Sequence, residues 1–269
     1  MTKLCTKTGM TKQNFYRARK SRQRRELDEM HLVQLVKRER MEQPRIGTRK
    51  LYGMLKEELA QSGVVIGRDR FFEVLRKHDL LVEPLKSEPK TTNSRHCLPV
   101  FKNLIQDLEV KAPNEVWVSD ITYVRTDQGF VYLALIMDLF SRKIVGYHCG
   151  DTLEASGCIA ALKMALRTLP KGARPIHHSD RGSQYCCHAY VECLGSLPIS
   201  MTEVNHCYEN AHAERLNGIL KQEYCLGYTL RSKKHAYALA KQAVHLYNHK
   251  RPHTSLNFQV PEAVHKTSA

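Results

Sequence analysis

An acidic residue sits in the middle of a run that is otherwise apolar on both faces: Asp120, within Val116-Trp117-Val118-Ser119-Asp120-Ile121-Thr122-Tyr123-Val124. Such a run predicts a strand covered on two sides, which confines the chain to a layered α/β arrangement. An ionised carboxylate removed from water without a partner costs several kcal/mol, so Asp120 has to be paired, protonated or held by a cation. A second acid, Asp180, closes the short run Pro175-Ile176-His177-His178-Ser179 and precedes the turn-forming Arg181-Gly182-Ser183. In open α/β sheets ligands collect beyond the carboxyl ends of strands, where that pattern puts Asp180.

The third acid is Glu214. It falls in a helix predicted from about Glu209 to Tyr224, whose apolar stripe is Leu216, Ile219 and Leu220. Asn210, Glu214, Asn217 and Lys221 share another face, offering a carboxylate, two amides and a cation to an anionic ligand such as DNA. Glu209 is the competing third acid, but five residues of helix turn it to a different side. One acid of this kind is ordinarily a cap or an ion pair. Three, each embedded in its own pattern, read as a divalent-metal site.

Charge narrows the partner. The chain of 269 residues carries a formal net charge of +15 and a pI near 9.5, which implies a polyanion, with DNA the first candidate. Cations crowd the first fifty residues, among them Arg17, Arg19, Lys20, Arg22, Arg24, Arg25, Lys37, Arg38 and Arg40. Hydrophobic residues make up 42% of the chain, enough for one sizeable core and a smaller domain. The nine cysteines are odd in number and irregularly spaced, which favours reduced thiols in a cytosol. No paired HxxxH and CxxC pattern marks the N-terminal region, so structural zinc is not expected. No apolar run suits a membrane span and no leader precedes Met10, so the expectation is a soluble, unexported protein.

Periodicity and punctuation divide the chain. Residues 1–80 read as a basic helical region: a helix near Lys12 to Lys20, another from Leu27 to Glu42 stopped by Pro44, one capped by Thr48 with Leu51, Leu55 and Leu59, and one from Arg68 to His78 with Phe72 and Leu75 inward. Residues 81–110, with Pro84, Pro89 and Pro99, read as a linker. Residues 111–228 alternate: strands at Val116–Val124, Val131–Asp138 and Lys143–Cys149, a helix at Leu153–Leu166, a strand at Pro175–His178, a helix at Tyr185–Leu194, a strand at Ile199–Met201 and the Glu214 helix. Asp138 reads as a turn residue and not as a direct metal ligand. Residues 229–269 hold a helix from Lys233 to Tyr247 and an arm that begins at Arg251-Pro252-His253, expected to pack on the core.

The strings WVSDITYV, YLALIMDLFSRKIVGY, IHHSDRGSQY, YENAHAERLNGILKQE and YNHKRPHTSL, in this order, resemble the catalytic half of bacterial insertion-sequence transposases with a retroviral-integrase-type core. Residues Arg45 to Val82 resemble the helix-turn-helix region that precedes that core, and the likeness of the core runs from about Asn114 to Ala263. The interval from Asp180 to Glu214 is slightly shorter than is usual there, the loss falling near Cys193 to Pro198. The resemblance implies a ribonuclease-H-like mixed sheet flanked by helices, behind a small all-α helix-turn-helix domain. It implies Asp120, Asp180 and Glu214 as catalytic residues and as ligands of two Mg2+ or Mn2+ ions, Asp120 bridging both. Lys221, Asn210 and Asn217 would contact DNA beside them, and Arg68, Arg70 and Lys77 would contact it from the last helix of the helix-turn-helix.

The implied activity is cleavage at element ends followed by strand transfer, a phosphoryl transfer that integrates the insertion sequence into target DNA. The implied setting is the bacterial cytosol at the nucleoid, as a homo-oligomer on DNA and with an upstream-frame protein or fusion as partner. A DNA-binding regulator or inactive remnant, and a free-standing nuclease of ribonuclease H type, are the alternatives. All three acids are in place, which argues against the first; the basic region ahead of the core is unexplained by the second.

Overall fold

The computed structural model describes residues 11–83, 85, 98–203 and 210–267. Glu209, and residues 84 and 86–97 of the segment expected to be a linker, lie outside them. The chain forms two compact units, Met1–Glu83 and Pro84–Ala269.

Among its described residues the first unit holds three helices, α1 (Lys12–Glu42), α2 (Thr48–Gln61) and α3 (Arg68–Lys77). The two helices expected between Lys12 and Glu42 are one, because no glycine or proline interrupts the run. The hydroxyl of Thr11 caps it, accepting from the Asn14 amide at 3.2 Å. Only its second half contributes to the core, through Leu32, Val33, Leu35 and Val36. Leu51, Leu55 and Leu59 of α2 meet them on one stripe, together with Ile46. Two local expectations need correction. Thr48 is the first helical residue and Gly47 the cap position, without a side-chain bond. In α3 the inward residues are Phe71, Val74 and Leu75, and Phe72 lies at the margin, because α3 starts at Arg68 in a phase that turns Phe71 toward Tyr52, ring centroids 5.5 Å apart.

The second unit is built on a five-stranded mixed sheet of order β3-β2-β1-β4-β5, with β1 at Val116–Thr126, β2 at Gly129–Asp138, β3 at Ile144–Gly150, β4 at Ile176–Ser179 and β5 at Ile199–Met201. The first three strands form an antiparallel meander; β4 and β5 are parallel to β1. This is the ribonuclease-H-like order. The hairpin between β1 and β2 turns at Gly129, whose φ of +99° suits glycine.

Alternation along β1 and β2 gives each face its own core. Val116, Val118, Val124, Leu133 and Leu135 face α7 (Ala211–Glu223) and α8 (Lys233–His249). Trp117, Ala134 and Ile136 face α4 (Ala155–Thr168) and α6 (His188–Leu194). At Gly146 the backbone of α4 comes so near β3 that a Cβ there would lie 2.2 Å from the Ala161 carbonyl oxygen. The helix expected from Tyr185 to Leu194 is broken. A short α5 (Ser183–Cys186) ends at Cys187, which is extended and also begins α6. The break lets Tyr185 and Tyr190 both pack on His177, at ring-centroid distances of 6.3 and 5.4 Å. The shorter interval toward Glu214 coincides with a seven-residue α6 that stops at Gly195, φ +60°.

Helix α8 is capped by Ser232 and tied to the sheet by Asn248, whose side chain bonds both the N–H and the carbonyl of Ile144 at 2.9 Å. The arm after it ends in α9 (Pro261–Thr267). Arg251 is buried and forms a two-pronged pair with Glu223 at the end of α7, at 2.8 and 2.9 Å, while also donating to His253 at 2.9 Å.

Candidate active site

Strands β1 and β4 are joined over Val116–Val118 and Ile176–His178. The last rung pairs Val118 with His178, and Asp120 and Asp180 each stand two residues past it, Asp120 within β1 and Asp180 just after the end of β4. Both are partly exposed, where the sequence alone implied a fully covered strand at Asp120. Asp120 takes the Ile121 amide at 2.8 Å on Oδ1 and the Asn217 side-chain amide at 2.7 Å on Oδ2. Asp180 accepts from the Gly182 amide at 3.0 Å. The next residue, Arg181, donates to the Thr202 carbonyl at 2.6 Å and so anchors the turn to the end of β5.

Glu214 is in the first turn of α7, one turn before Asn217. This helix starts at Ala211 and not at Glu209. The polar face singled out in the sequence lies along β1: Asn210 donates to the Ser119 carbonyl at 3.1 Å, Asn217 to Asp120, and the Lys221 ammonium sits 4.2 Å from the Tyr123 ring centroid. Asn210 and Asn217, expected at DNA, are buried, with 3% and 9% of their surface exposed. Their amides hold α7 against the strand that carries Asp120. Among the described residues, no group of three His, Cys, Asp or Glu side chains closes around a point that could hold a metal ion.

Beneath the acids lies a neutral polar network. His177 is buried and bonds the Ser119 hydroxyl at 2.7 Å and the Tyr190 hydroxyl at 2.9 Å through Nε2. Burial pulls its pKa down to about 3, so it is uncharged at physiological pH. His178 bonds the Ser200 hydroxyl at 2.8 Å. Burial raises the Cys158 thiol to about 12 and the Cys186 thiol to about 11, the charge of Asp180 adding to both. Asp120 adds to the shift at Cys158, and both carboxylates add to the burial that raises Tyr185. Both thiols therefore stay protonated near neutral pH.

Asp138 is fully buried in the β2–β3 turn, where it accepts from the Asn114 amide at 2.7 Å, the Ser141 amide at 2.8 Å and the Ser141 hydroxyl at 2.6 Å. It is a turn residue, as its position implied. In the first unit, Arg68 pairs with Asp69 at 3.0 Å, Arg70 with Glu73 at 2.9 Å and with Glu29, and Lys77 with Glu29 at 2.6 Å. Their side chains remain half or more exposed.

Two models of the integrase core domain match, over residues 110–203 and 196–261. The insertion element IS600 uncharacterized 31 kDa protein of Shigella sonnei is 39% identical over 224 residues, 81% of this chain and 82% of that protein. The chain belongs to the bacterial insertion-sequence transposases with an integrase-type core. Transposase InsF for insertion sequence IS3A of Escherichia coli K12 is 36% identical over 172 residues, 63% of this chain and 60% of that transposase. The catalytic core domain of HTLV-2 integrase, solved in complex with magnesium, has 21% identity and a TM-score of 0.44 over 57% of this chain and 97% of that one. The simian T-cell lymphotropic virus intasome has 21% identity and a TM-score of 0.47 over 81% and 74%. Among the described residues of this transposase chain, no helix is long and apolar enough to cross a membrane. Sequence reasoning gave no role to Ser119, His177 and Tyr190, which bond one another beneath the acids, or to Asn248, which ties α8 to β3; no spacing in the sequence marks them.

Proposed function

We propose that this chain catalyses metal-assisted phosphoryl transfer on DNA, cutting at the ends of an insertion element and joining the exposed strand to target DNA. Asp120, Asp180 and Glu214 are assigned as the catalytic carboxylates and as the ligands of Mg2+ or Mn2+, two ions in all. The observation that carries this reading is the placing of Asp120 and Asp180, each two residues past the last rung of the β1–β4 ladder, with the Glu214 helix tied to Asp120 through Asn217.

The donor set fits such ions. Carboxylate oxygens are hard ligands, so the chemistry suits magnesium or manganese over zinc. When bound, the cations supply neutralisation of the scissile phosphate and activation of a hydroxyl or water. The protein's own share is positional. Asn217 orients the Asp120 carboxylate, Arg181 fixes the turn that follows Asp180, and Lys221 supplies a cation to the DNA backbone on the same side of α7. Arg68, Arg70 and Lys77 present a basic surface to duplex DNA; Glu29, which they share in part, orders Arg70 and Lys77. Assembly as a homo-oligomer on DNA, with an upstream-frame protein or fusion, belongs to the same proposal.

Asp120→Asn, Asp180→Asn and Glu214→Gln are each expected to abolish strand cleavage and strand transfer, with DNA binding retained. Activity should require added magnesium or manganese and vanish with a chelator. Full strand-transfer activity in any one of the three variants would overturn the assignment of that acid.

A further inference from the structure

Three side chains of the β1–β2 hairpin and Lys221 of α7 form an unbroken row. The Lys221 ammonium lies 4.2 Å from the Tyr123 ring centroid, Tyr123 meets Phe130 edge to face at 5.6 Å, and the Arg125 guanidinium lies 5.6 Å from the Phe130 centroid. Arg125 and Phe130 are paired across the hairpin, and both are exposed; Phe130 shows 41% of its surface. Ile121 and Tyr132, half-buried, flank the row on the same face. Tyr123 is three residues beyond Asp120 on β1, roughly 10 Å away. Alternation puts it on the opposite face of the strand; between Val118 and Arg125 no described strand pairs with β1 on the β4 side, and beyond that stretch Leu230 bonds Arg125 and Asp127.

Nothing in the folding of the hairpin asks for an exposed phenylalanine between two cations. Rings that can stack on bases, interleaved with cations that can hold phosphates, are what an unpaired nucleic-acid strand requires; a duplex hides its base faces and would meet only the charges. We propose that this row is a binding site for an unpaired DNA strand leading round the open edge of β1 from the acids. The proposal rests on the phosphoryl-transfer reading and names the form its substrate takes beside the site.

The test uses the full chain with a short single-stranded oligonucleotide containing 2-aminopurine, and a blunt duplex of the same sequence. Phe130→Ala is expected to weaken strand binding roughly five- to hundredfold and to abolish the fluorescence change of stacking, with duplex affinity unchanged. Phe130→Trp should restore both, and Arg125→Ala should weaken strand binding and lower its salt dependence by about one phosphate. Unchanged strand binding in Phe130→Ala, or equal losses for strand and duplex, would overturn the proposal. Asp120→Asn separates the two readings. If it loses strand transfer while Phe130→Ala binds like the parent, only the row is refuted; if it transfers strands normally while Phe130→Ala loses strand binding, only the catalytic assignment is.

Discussion

Asp138 keeps its charge where water cannot reach it. Burial pushes its pKa up, but the His265 ring, the Ser141 hydroxyl and amide and the Asn114 amide outweigh that and hold it below the usual carboxylate range. A carboxyl whose folded pKa is depressed stabilises the fold above the ordinary value, and that stabilisation is lost as pH falls through the folded value. Asp138→Asn keeps the shape but turns a donor toward donors. It should cost about 1–3 kcal/mol near neutrality, and the gap to the parent should narrow as the medium becomes acidic enough to protonate the parent's Asp138. Denaturant melts at neutral and acid pH measure this; a gap independent of pH would refute it.

At the scale of elements, α7 is fixed at both ends: by Asn210 and Asn217 to β1, and by Glu223 to Arg251 of the arm. Arg251→Ala leaves the mostly buried Glu223 without its partner and should cost about 3–5 kcal/mol. Pairing Arg251→Met with Glu223→Leu should recover part of that loss in a melting experiment, and no recovery would argue that the arm is held by something else. The strands of the core were legible because alternation and β-branched runs state them directly, as at Val131–Asp138. The break at Cys187 was not, because Tyr185 and Tyr190 satisfy helical spacing whether or not a turn separates them. Nor was the true destination of Asn210 and Asn217. A polar stripe on a helix looks the same in sequence whether its amides face DNA or the carbonyls of a neighbouring strand.

Over the whole molecule, charge and chemistry occupy different units. The basic helices α1–α3 belong to one, and the three acids to the other. If the first unit supplies most of the DNA affinity, the logarithm of the binding constant should fall linearly with the logarithm of salt, by about 0.9 for each phosphate contacted. Removing Arg68 and Arg70 should flatten that line without changing the metal requirement of cleavage. A binding constant indifferent to salt would place the affinity elsewhere. The order of the acids along the chain was readable, since each sits in its own motif. That β1 and β4 would be neighbours, carrying Asp120 and Asp180 to adjacent strand ends, was not, because no spacing reveals strand order.

The ladder between β1 and β4 stops at Val118 and His178. Sheets usually gain by zipping onward, yet here the zipper halts two residues before the carboxylates. Two more rungs would bury both acids in backbone pairing and leave a sealed wall. What makes the wall usable is a place where it comes unstitched, and that seam is set by where two strands cease to bond.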